Sequence, residues 1–379
     1  MKIVIAIDSF KGSLTSMQAG NAAAEGIRRV CPDAEITVRP LADGGEGTVD
    51  ALVSGLFGEF RSVEVTGPCG KPVTARYGII GSTAVMEISA AAGLTLVPPD
   101  KRDPMKTTTF GVGEMIRDAI SNGCHDFIIG IGGSATNDGG AGMLQALGFG
   151  LLNERGEQIQ RGAAGLAEIA SITDEKALPK LSECRFRIAC DVANPLCGEN
   201  GCSAVFAPQK GAKPADIPVM DGWLARFADL TKTINPNSDP NCPGAGAAGG
   251  LGFAFLSYTN SVLQPGVELI LRETHLEDHI KNADIVITGE GRLDAQTAMG
   301  KAPVGVARLA KKYGKPVIAF AGSVTKDAAA LNECGIDAYF PILRSVCSLE
   351  DAMKPETAEQ NLADSAEQVF RLVRTFAKS

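Results

Sequence analysis

Apolar residues along the chain follow two alternating patterns, short continuous runs and stretches with helical spacing. The first run, residues 1–7, ends at Asp8, and residues 15–31 then repeat apolar or small side chains three or four positions apart. Such spacing is typical of a helix that packs one face on a sheet. A second helix is predicted at 112–120 and is followed at once by a strand at 127–131.

The same alternation returns in the last third of the chain. We predict a strand at 284–288, a helix at 304–313, a strand at 316–321 and a closing helix with apolar positions at 362–373. Strands that alternate with helices predict an α/β fold with a doubly wound, mostly parallel sheet of the Rossmann or flavodoxin-like kind.

Two stretches depart from this pattern. Residues 60–96 alternate apolar and polar positions between Gly/Pro turns, which is typical of antiparallel strands, and residues 150–260 are rich in turns. We therefore predict a second, different, mixed α/β domain inserted into the first, with a catalytic cleft between them. The doubly wound domain is predicted at 1–60, 104–148 and 262–379, and the inserted domain at 61–103 and 149–261.

Length, composition and charge narrow the class of protein. A chain of 379 residues, 45% hydrophobic and 21% charged, is long enough for two globular domains. The net charge of -8 argues against a nucleic-acid or anionic-membrane partner, because either needs a clustered basic surface. Neither the apolar amino-terminal run nor any later one reaches a membrane-spanning length, and the ten cysteines contain no CxxC pair. We therefore expect reduced thiols and a cytoplasmic location.

Small and polar residues follow the predicted strands. In an open parallel sheet, ligands bind beyond the carboxyl ends of the strands. Backbone N–H groups of glycine-rich turns bind phosphate, and carboxylates hold Mg²⁺, so these residues predict a site for a phosphorylated ligand and a divalent ion. The main segments are 8–13, 132–138, 191–195, 289–294 and 322–325, together with the acidic, glycine-rich loop 42–48.

Motifs of several enzyme classes are missing from the sequence. It holds no GxxxxGK[ST] P-loop, no HRD or DFG pair, no HExxH and no GxSxG, which argues against P-loop and protein kinases, zinc proteases and serine hydrolases. A GxGxxG at 244–249 does not follow a predicted strand. A glycine-rich turn at 130–135 does, so an NAD-dependent oxidoreductase stays open, as does a non-catalytic nucleotide or sugar-acid binding protein. The many carboxylates at the strand ends favour chemistry over mere binding.

Seven ordered segments together resemble the glycerate kinase type I family, and they extend over essentially the whole chain. They are DSFKGS (8–13), PLADGGEGT (40–48), GIGGSATNDGGAG (130–142), CDVANPLCGENG (190–201), FAPQKGA (206–212), GAGAAGGLG (244–252) and TGEGRLDAQTAMGKAPVGVA (288–307).

The resemblance implies ATP-dependent phosphorylation of a hydroxyl of D-glycerate, with Mg²⁺, in an enzyme of two different α/β domains. It implies 2-phospho-D-glycerate and ADP as products, although phosphorylation at the 3-position stays open. The expected partners are D-glycerate and ATP, with no nucleic acid and no membrane. The oligomeric state stays open.

Roles for individual residues are hypotheses that join this resemblance to the chemistry of phosphoryl transfer. For catalysis we name Asp191 as the base, Asn194 to orient, Lys11 to neutralise charge, and Asp294. Substrate binding is assigned to Asp8, Ser9, Lys11, Asp43, Gly44 and Lys210. Nucleotide and phosphate binding is assigned to Gly132, Gly133, Ser134, Asn137, Thr288, Gly289, Gly291 and Lys301. The metal ligands are expected to be Glu290, Asp294 and Asp191, with Asp43 and Glu46 as the alternative pair.

Overall fold

The structure is a computed structural model that describes residues 1–377. The chain forms two compact units. The first unit holds Met1–Asp43, Asp50–Phe57 and the residues from Val267 onward, and the second holds Gly44–Val49 and Gly58–Gly266. The second unit thus interrupts the sequence of the first.

The strands and helices are numbered in chain order. The strands are β1 (Lys2–Ile7), β2 (Glu35–Val38), β3 (Glu59–Thr66), β4 (Pro72–Ile80), β5 (Thr83–Glu87), β6 (Asp126–Gly130), β7 (Gly150–Leu152), β8 (Ser171–Thr173), β9 (Arg185–Ala189), β10 (Ser261–Gln264), β11 (Ile285–Leu293), β12 (Val317–Val324) and β13 (Ala338–Pro341). The α-helices are α1 (Ser16–Val30), α2 (Thr48–Gly55), α3 (Ser89–Ala92), α4 (Phe110–Ser121), α5 (Ala141–Ala146), α6 (Cys202–Phe206), α7 (Asp216–Thr231), α8 (Ala247–Tyr258), α9 (Gly266–Glu273), α10 (Leu276–Lys281), α11 (Ala295–Ala298), α12 (Ala302–Lys312), α13 (Leu349–Met353) and α14 (Pro355–Ala377).

The first unit is built on a five-stranded parallel sheet with the order β13-β12-β11-β1-β2. Side chains alternate between its two faces, as the pleat of a strand requires. Ile3, Ile5 and Ile7 of β1 pack in one apolar core with α1 and α14, whereas Val4 and Ala6 pack in another with α10 and α12. Helices cover both faces, which confirms the predicted doubly wound α/β fold.

The two helices on the first face approach each other closely. A β-carbon at Gly26 of α1 would lie 1.9 Å from the backbone oxygen of Ala363 in α14. Only glycine allows this approach, because any side chain at position 26 would force the two helices apart. The helix predicted at 15–31 is thus present as α1, with an amphipathic face and with Gly26 at its contact with α14.

The second unit is built on a six-stranded mixed sheet with the order β10-β9-β6-β5-β4-β3. The pairs β3–β4 and β4–β5 are antiparallel, as predicted for residues 60–96, and the remaining neighbours are parallel. The short strands β7 and β8 form a separate antiparallel pair.

The segment 104–148 belongs to the second unit, whereas the sequence analysis placed it in the doubly wound domain. Its strand β6 pairs with β5 and β9, so one sheet contains both the antiparallel strands and the βα repeat that follows them. The strand–helix alternation of 104–148 is the same as in the first unit, and a local pattern does not show which sheet a strand joins. The predicted cleft between domains stays a prediction.

No helix in the described part of the chain combines the length and the apolar character needed to cross a bilayer.

Candidate active site

A cavity of about 360 Å³ opens in the first unit, where the chain leaves β1 and beside the last residues of β11 and β12. The carboxyl ends of these parallel strands lie at one edge of the sheet, where the sequence analysis expected ligands. Eight of the predicted site residues line this cavity: Asp8, Ser9, Lys11, Asp43, Glu290, Gly291, Asp294 and Lys301.

Ser16 joins the two segments that carry Asp8 and Asp43. Its buried hydroxyl donates to the Ile7 backbone oxygen (2.6 Å) and accepts from the Leu41 backbone N–H (2.9 Å). These bonds hold the ends of the two segments side by side, so two acidic residues far apart in sequence line one cavity.

Asp8 is a buried carboxyl group, with 6% of its surface exposed. Burial above all, with the nearby charges of Asp43 and Glu290, raises the pKa of Asp8 to about 7, although the Ser9 backbone N–H and Lys11 oppose the rise. Asp8 therefore takes up or releases a proton close to neutral pH, which is typical of a group in a functional site.

Glu290 lies in the same group of carboxylates. Burial raises its pKa above the ordinary value, and the charges of Asp294 and Asp43 add to the rise. The Thr297 hydroxyl donates to Glu290 Oε1 at 2.5 Å. This hydrogen bond and the charge of Lys301 both act to lower the pKa of Glu290. Carboxylates held this close together repel one another, so a bound cation would stabilise them.

Two lysines line the cavity beside these carboxylates. Lys11 is exposed in the loop after β1, and Lys301 is the N-cap residue directly before α12. An anion here would meet both ammonium groups and the amino-terminal end of an 11-residue helix, where the backbone N–H groups carry partial positive charge.

Asp294 has a structural task as well. Its Oδ1 accepts hydrogen bonds from the backbone N–H groups of Gln296 (2.9 Å) and Thr297 (3.3 Å), and the Asp294 N–H donates to Thr297 Oγ1 (3.2 Å). This capping box starts α11. Its second oxygen, Oδ2, lies 3.4 Å from Arg292 Nε, so both oxygens already have partners.

Thr288 and Gly289, which were assigned to phosphate binding from the sequence, belong to a strand and not to a glycine-rich turn. Strand β11 continues through them to Leu293, and both pair with β1 on one side and β12 on the other. A β-carbon at Gly289 would lie 2.0 Å from the Phe320 oxygen, so glycine is needed there for strand packing. Because their backbone groups belong to the sheet ladder, they are not available to a phosphate.

Among residues 1–377, no three side chains of Asp, Glu, His or Cys come together as a ready-made metal site. Magnesium is usually held by one or two carboxylates, water and the phosphates of the substrate rather than by a cage of protein ligands. The carboxylates of the cavity supply oxygen ligands of that kind.

The second unit brings a different set of predicted residues to the carboxyl edge of its own sheet. Gly132 and Gly133 are exposed after β6, and a β-carbon at Gly132 would lie 4.0 Å from the Cα of Gly45. Gly44 lies against Ala189 and Gly266, with no room for a side chain. The 44–49 loop therefore covers the ends of β6 and β9.

Ser134, Asn137 and Lys210 lie inside the second unit. The Lys210 ammonium donates to Ser134 Oγ (2.8 Å) and the Thr136 oxygen (2.6 Å), and burial lowers the pKa of Lys210 to about 8. The Asn137 amide donates to Ser203 Oγ at 2.9 Å. All three are buried, so we assign them to holding the loop after β6 rather than to binding a ligand directly.

Asp191 and Asn194 follow β9 at the same edge. Asp191 is exposed, and its Oδ1 accepts from the Gly266 backbone N–H at 2.9 Å. Asn194 is half-buried, and its side-chain amide donates to the Asn200 oxygen at 2.9 Å. Glu46 is exposed in the 44–49 loop. Of the predicted metal ligands, Glu290 and Asp294 belong to the first unit and Asp191 to the second.

The apolar part of the cavity lining was not predicted from the sequence. It comes from Ile342, Leu343, Leu349, Ala352, Met353 and Ala358, in and around α13. The segment 342–358 contains no glycine-rich turn, and α13 has only five residues, so neither a loop motif nor a periodic pattern marks it.

The model of the glycerate kinase family matches residues 3–374. The chain belongs to the glycerate kinase family. This is a family of kinases, so the present chain is an enzyme of that class. The resemblance stated from the sequence segments is confirmed.

Individual members of the family are similar over nearly their whole length. A glycerate kinase of Haemophilus influenzae is 48% identical over 98% of this chain and 99% of its own. A glycerate 2-kinase of Escherichia coli K12 is 47% identical over 93% of each chain. A crystal structure from Salmonella typhimurium LT2, provisionally named glycerate kinase 2, superposes with a TM-score of 0.93 at 46% identity and covers 100% of both chains.

Proposed function

We propose that the enzyme transfers the γ-phosphoryl group of ATP to the 2-hydroxyl of D-glycerate and releases 2-phospho-D-glycerate and ADP. The observation that carries this proposal is the cavity of the first unit, where acidic side chains and two lysines lie at the carboxyl ends of parallel strands. Positioning and charge neutralisation are the main tasks of an enzyme that transfers phosphoryl groups.

Lys11 and Lys301 are proposed to bind the phosphates of ATP. Asp8, Asp43 and Glu290 are proposed to hold Mg²⁺, because their negative charges act on one another in the cavity. Asp294 is a weaker candidate, since both of its oxygens take part in local contacts that start α11 or reach Arg292. Bound Mg²⁺ would neutralise charge on the transferred group. These carboxylates would repel the carboxylate of glycerate. We therefore do not keep the assignment of Asp8 and Asp43 to glycerate binding.

Asp191 stays our candidate for the base that accepts the proton of the attacking hydroxyl. It is exposed, and one of its oxygens is fixed by the Gly266 N–H, which orients the carboxylate. In the template of protein kinases, an aspartate at the acceptor hydroxyl has this task. Asn194 is proposed to help orient the loop, because its side chain closes the turn to Asn200.

The name of the Escherichia coli relative supports transfer to the 2-position, and 3-phospho-D-glycerate is the alternative product. The cytoplasmic location stays a prediction.

The activity is tested by coupling ADP release to NADH oxidation with purified enzyme, ATP and Mg²⁺. We expect ADP release to require D-glycerate, to be lost with excess EDTA and to return with added Mg²⁺. Two control acceptors are L-glycerate, which differs in configuration, and glycerol, which lacks the carboxylate. ADP release at equal rates with and without D-glycerate would show an ATPase and contradict the proposal.

A further inference from the structure

The cavity of the first unit has an apolar wall that faces solvent. Leu343 follows β13 and is 44% exposed, and Leu349 begins α13 and is 76% exposed. Ile342, Ala352 and Met353 complete the wall. Exposed leucines cost solvation free energy unless a partner covers them, so a cavity lined in this way indicates a ligand with an apolar surface.

Glycerate does not need such a wall. Each of its three carbons carries oxygen, so it has almost no apolar surface to bury. A nucleobase has two flat apolar faces, and the cavity volume of about 360 Å³ lies within the ordinary range of small-molecule sites.

The apolar wall also lies next to the lysine loop. Met353 Cε is 2.9 Å from the position that a β-carbon of Gly12 would occupy, and Gly12 directly follows Lys11. Gly12 has a φ of +76°, a backbone conformation that glycine adopts without strain. An apolar surface and the loop that carries Lys11 are therefore neighbours in one cavity, as the base and phosphates of one nucleotide require.

We propose that the wall formed by Ile342, Leu343, Leu349, Ala352 and Met353 binds the adenine ring of ATP, with the triphosphate extending to Lys11 and Lys301. This inference rests on the proposed function and adds where the nucleotide binds. It assigns ATP to the first unit, whereas the sequence had divided nucleotide binding between four residues after β6 and four residues of the first unit.

The test uses Leu349→Ser and the matched control Val346→Ser. Val346 is fully exposed, lies three residues earlier and does not line the cavity. Calorimetry would measure the affinities of both variants for ATP, adenosine and inorganic tripolyphosphate. We expect Leu349→Ser to weaken ATP and adenosine about tenfold, because it removes an apolar contact worth a leucine side chain. Tripolyphosphate should bind unchanged, and Val346→Ser should behave as the parent protein.

A second variant, Ala352→Trp, fills the wall instead of trimming it. It should block ATP and adenosine while leaving tripolyphosphate bound, and circular dichroism melts show whether each variant is folded. Equal ATP affinity in the two serine variants, or weaker tripolyphosphate binding in Leu349→Ser, would overturn the proposal. A protein that binds ATP through Leu349 without phosphorylating D-glycerate would support the adenine site and contradict the proposed reaction. Failure of the adenine site and failure of the reaction can therefore be distinguished.

Discussion

Asp8 carries an unfavourable charge in the folded protein. Its pKa is about 7 when folded and 3.8 in an ordinary environment, chiefly because it is buried. Between these two values the folded chain keeps a proton that the unfolded chain has released. The free energy of unfolding therefore falls as pH rises through this window, and the loss is complete above the folded pKa.

We accordingly expect Asp8→Asn to stabilise the protein at pH 8 and to have little effect near pH 4. The gain at pH 8 should be at most about 4 kcal/mol, from three pKa units at about 1.4 kcal/mol each. An asparagine oxygen can still accept the Ser9 N–H bond that Asp8 makes. Urea unfolding at both pH values measures the difference, and a gain that does not change with pH contradicts the burial argument. Phosphoryl transfer should fall in the same variant.

Asp191→Asn should remove most of the turnover. The amide can still accept the Gly266 N–H bond, so the loop should keep its place while the proton acceptor is lost. We expect kcat to fall at least about 100-fold, with the affinity for ATP nearly unchanged. Asp174→Asn, another exposed aspartate of the second unit, is the control. Activity above about a tenth of the parent value would remove Asp191 as the base.

The carboxylates that line the cavity could be chosen from the sequence because each of them follows or ends an apolar run. Their environment could not be predicted in this way. The burial of Asp8 and the Ser16 bridge that brings the 41–43 segment beside it depend on contacts between segments distant in sequence. Lys210 shows the opposite case, because a lysine expected to meet substrate is buried against Ser134.

At the scale of elements, β11 differs most from expectation. The pattern of apolar residues ends at Thr288, yet the strand continues through Gly289, Glu290 and Gly291 to Leu293. Glycine-rich segments usually indicate turns, but here β12 continues alongside, with Arg292 opposite Ser323 and Leu293 opposite Val324. Pairing with a neighbour therefore outweighed local propensity, so Glu290 lies on a strand.

Gly289→Ala should destabilise the first unit, because its methyl group would lie 2.0 Å from the Phe320 oxygen and force β11 and β12 apart. We expect a loss of at least about 2 kcal/mol in the free energy of unfolding, as for other overpacked core sites. Gly222→Ala in α7 is the matched control. A β-carbon there meets nothing within 4 Å, so the change should stabilise the protein by about 0.5–1 kcal/mol. Equal melting temperatures for the two variants would contradict this account of β11.

At the scale of the whole molecule, the insertion of one α/β unit into another could be predicted, and the extent of the insert could not. The antiparallel strands of 60–96 and the parallel strands that follow share a sheet through the pair β5–β6. Nothing in the local pattern of 104–148 distinguishes it from the βα repeats of the first unit.

ATP should stabilise the folded protein, since a ligand that binds only the folded state raises its free energy of unfolding. At 100 times its dissociation constant, ATP with Mg²⁺ should add about 2.7 kcal/mol and raise the melting temperature by a few degrees. NADH at the same concentration should have no effect. Protection by NADH but not by ATP would indicate that the glycine-rich turn at 130–135 binds a dinucleotide, as in an oxidoreductase.

The products of the reaction identify both the acceptor and the hydroxyl that is phosphorylated. Purified enzyme incubated with ATP, Mg²⁺ and D-glycerate should give one new phosphorus NMR signal that coincides with added 2-phospho-D-glycerate, together with an equal amount of ADP. A signal that coincides with 3-phospho-D-glycerate would contradict the proposed position of transfer. Inorganic phosphate as the sole product would contradict the proposed phosphoryl acceptor.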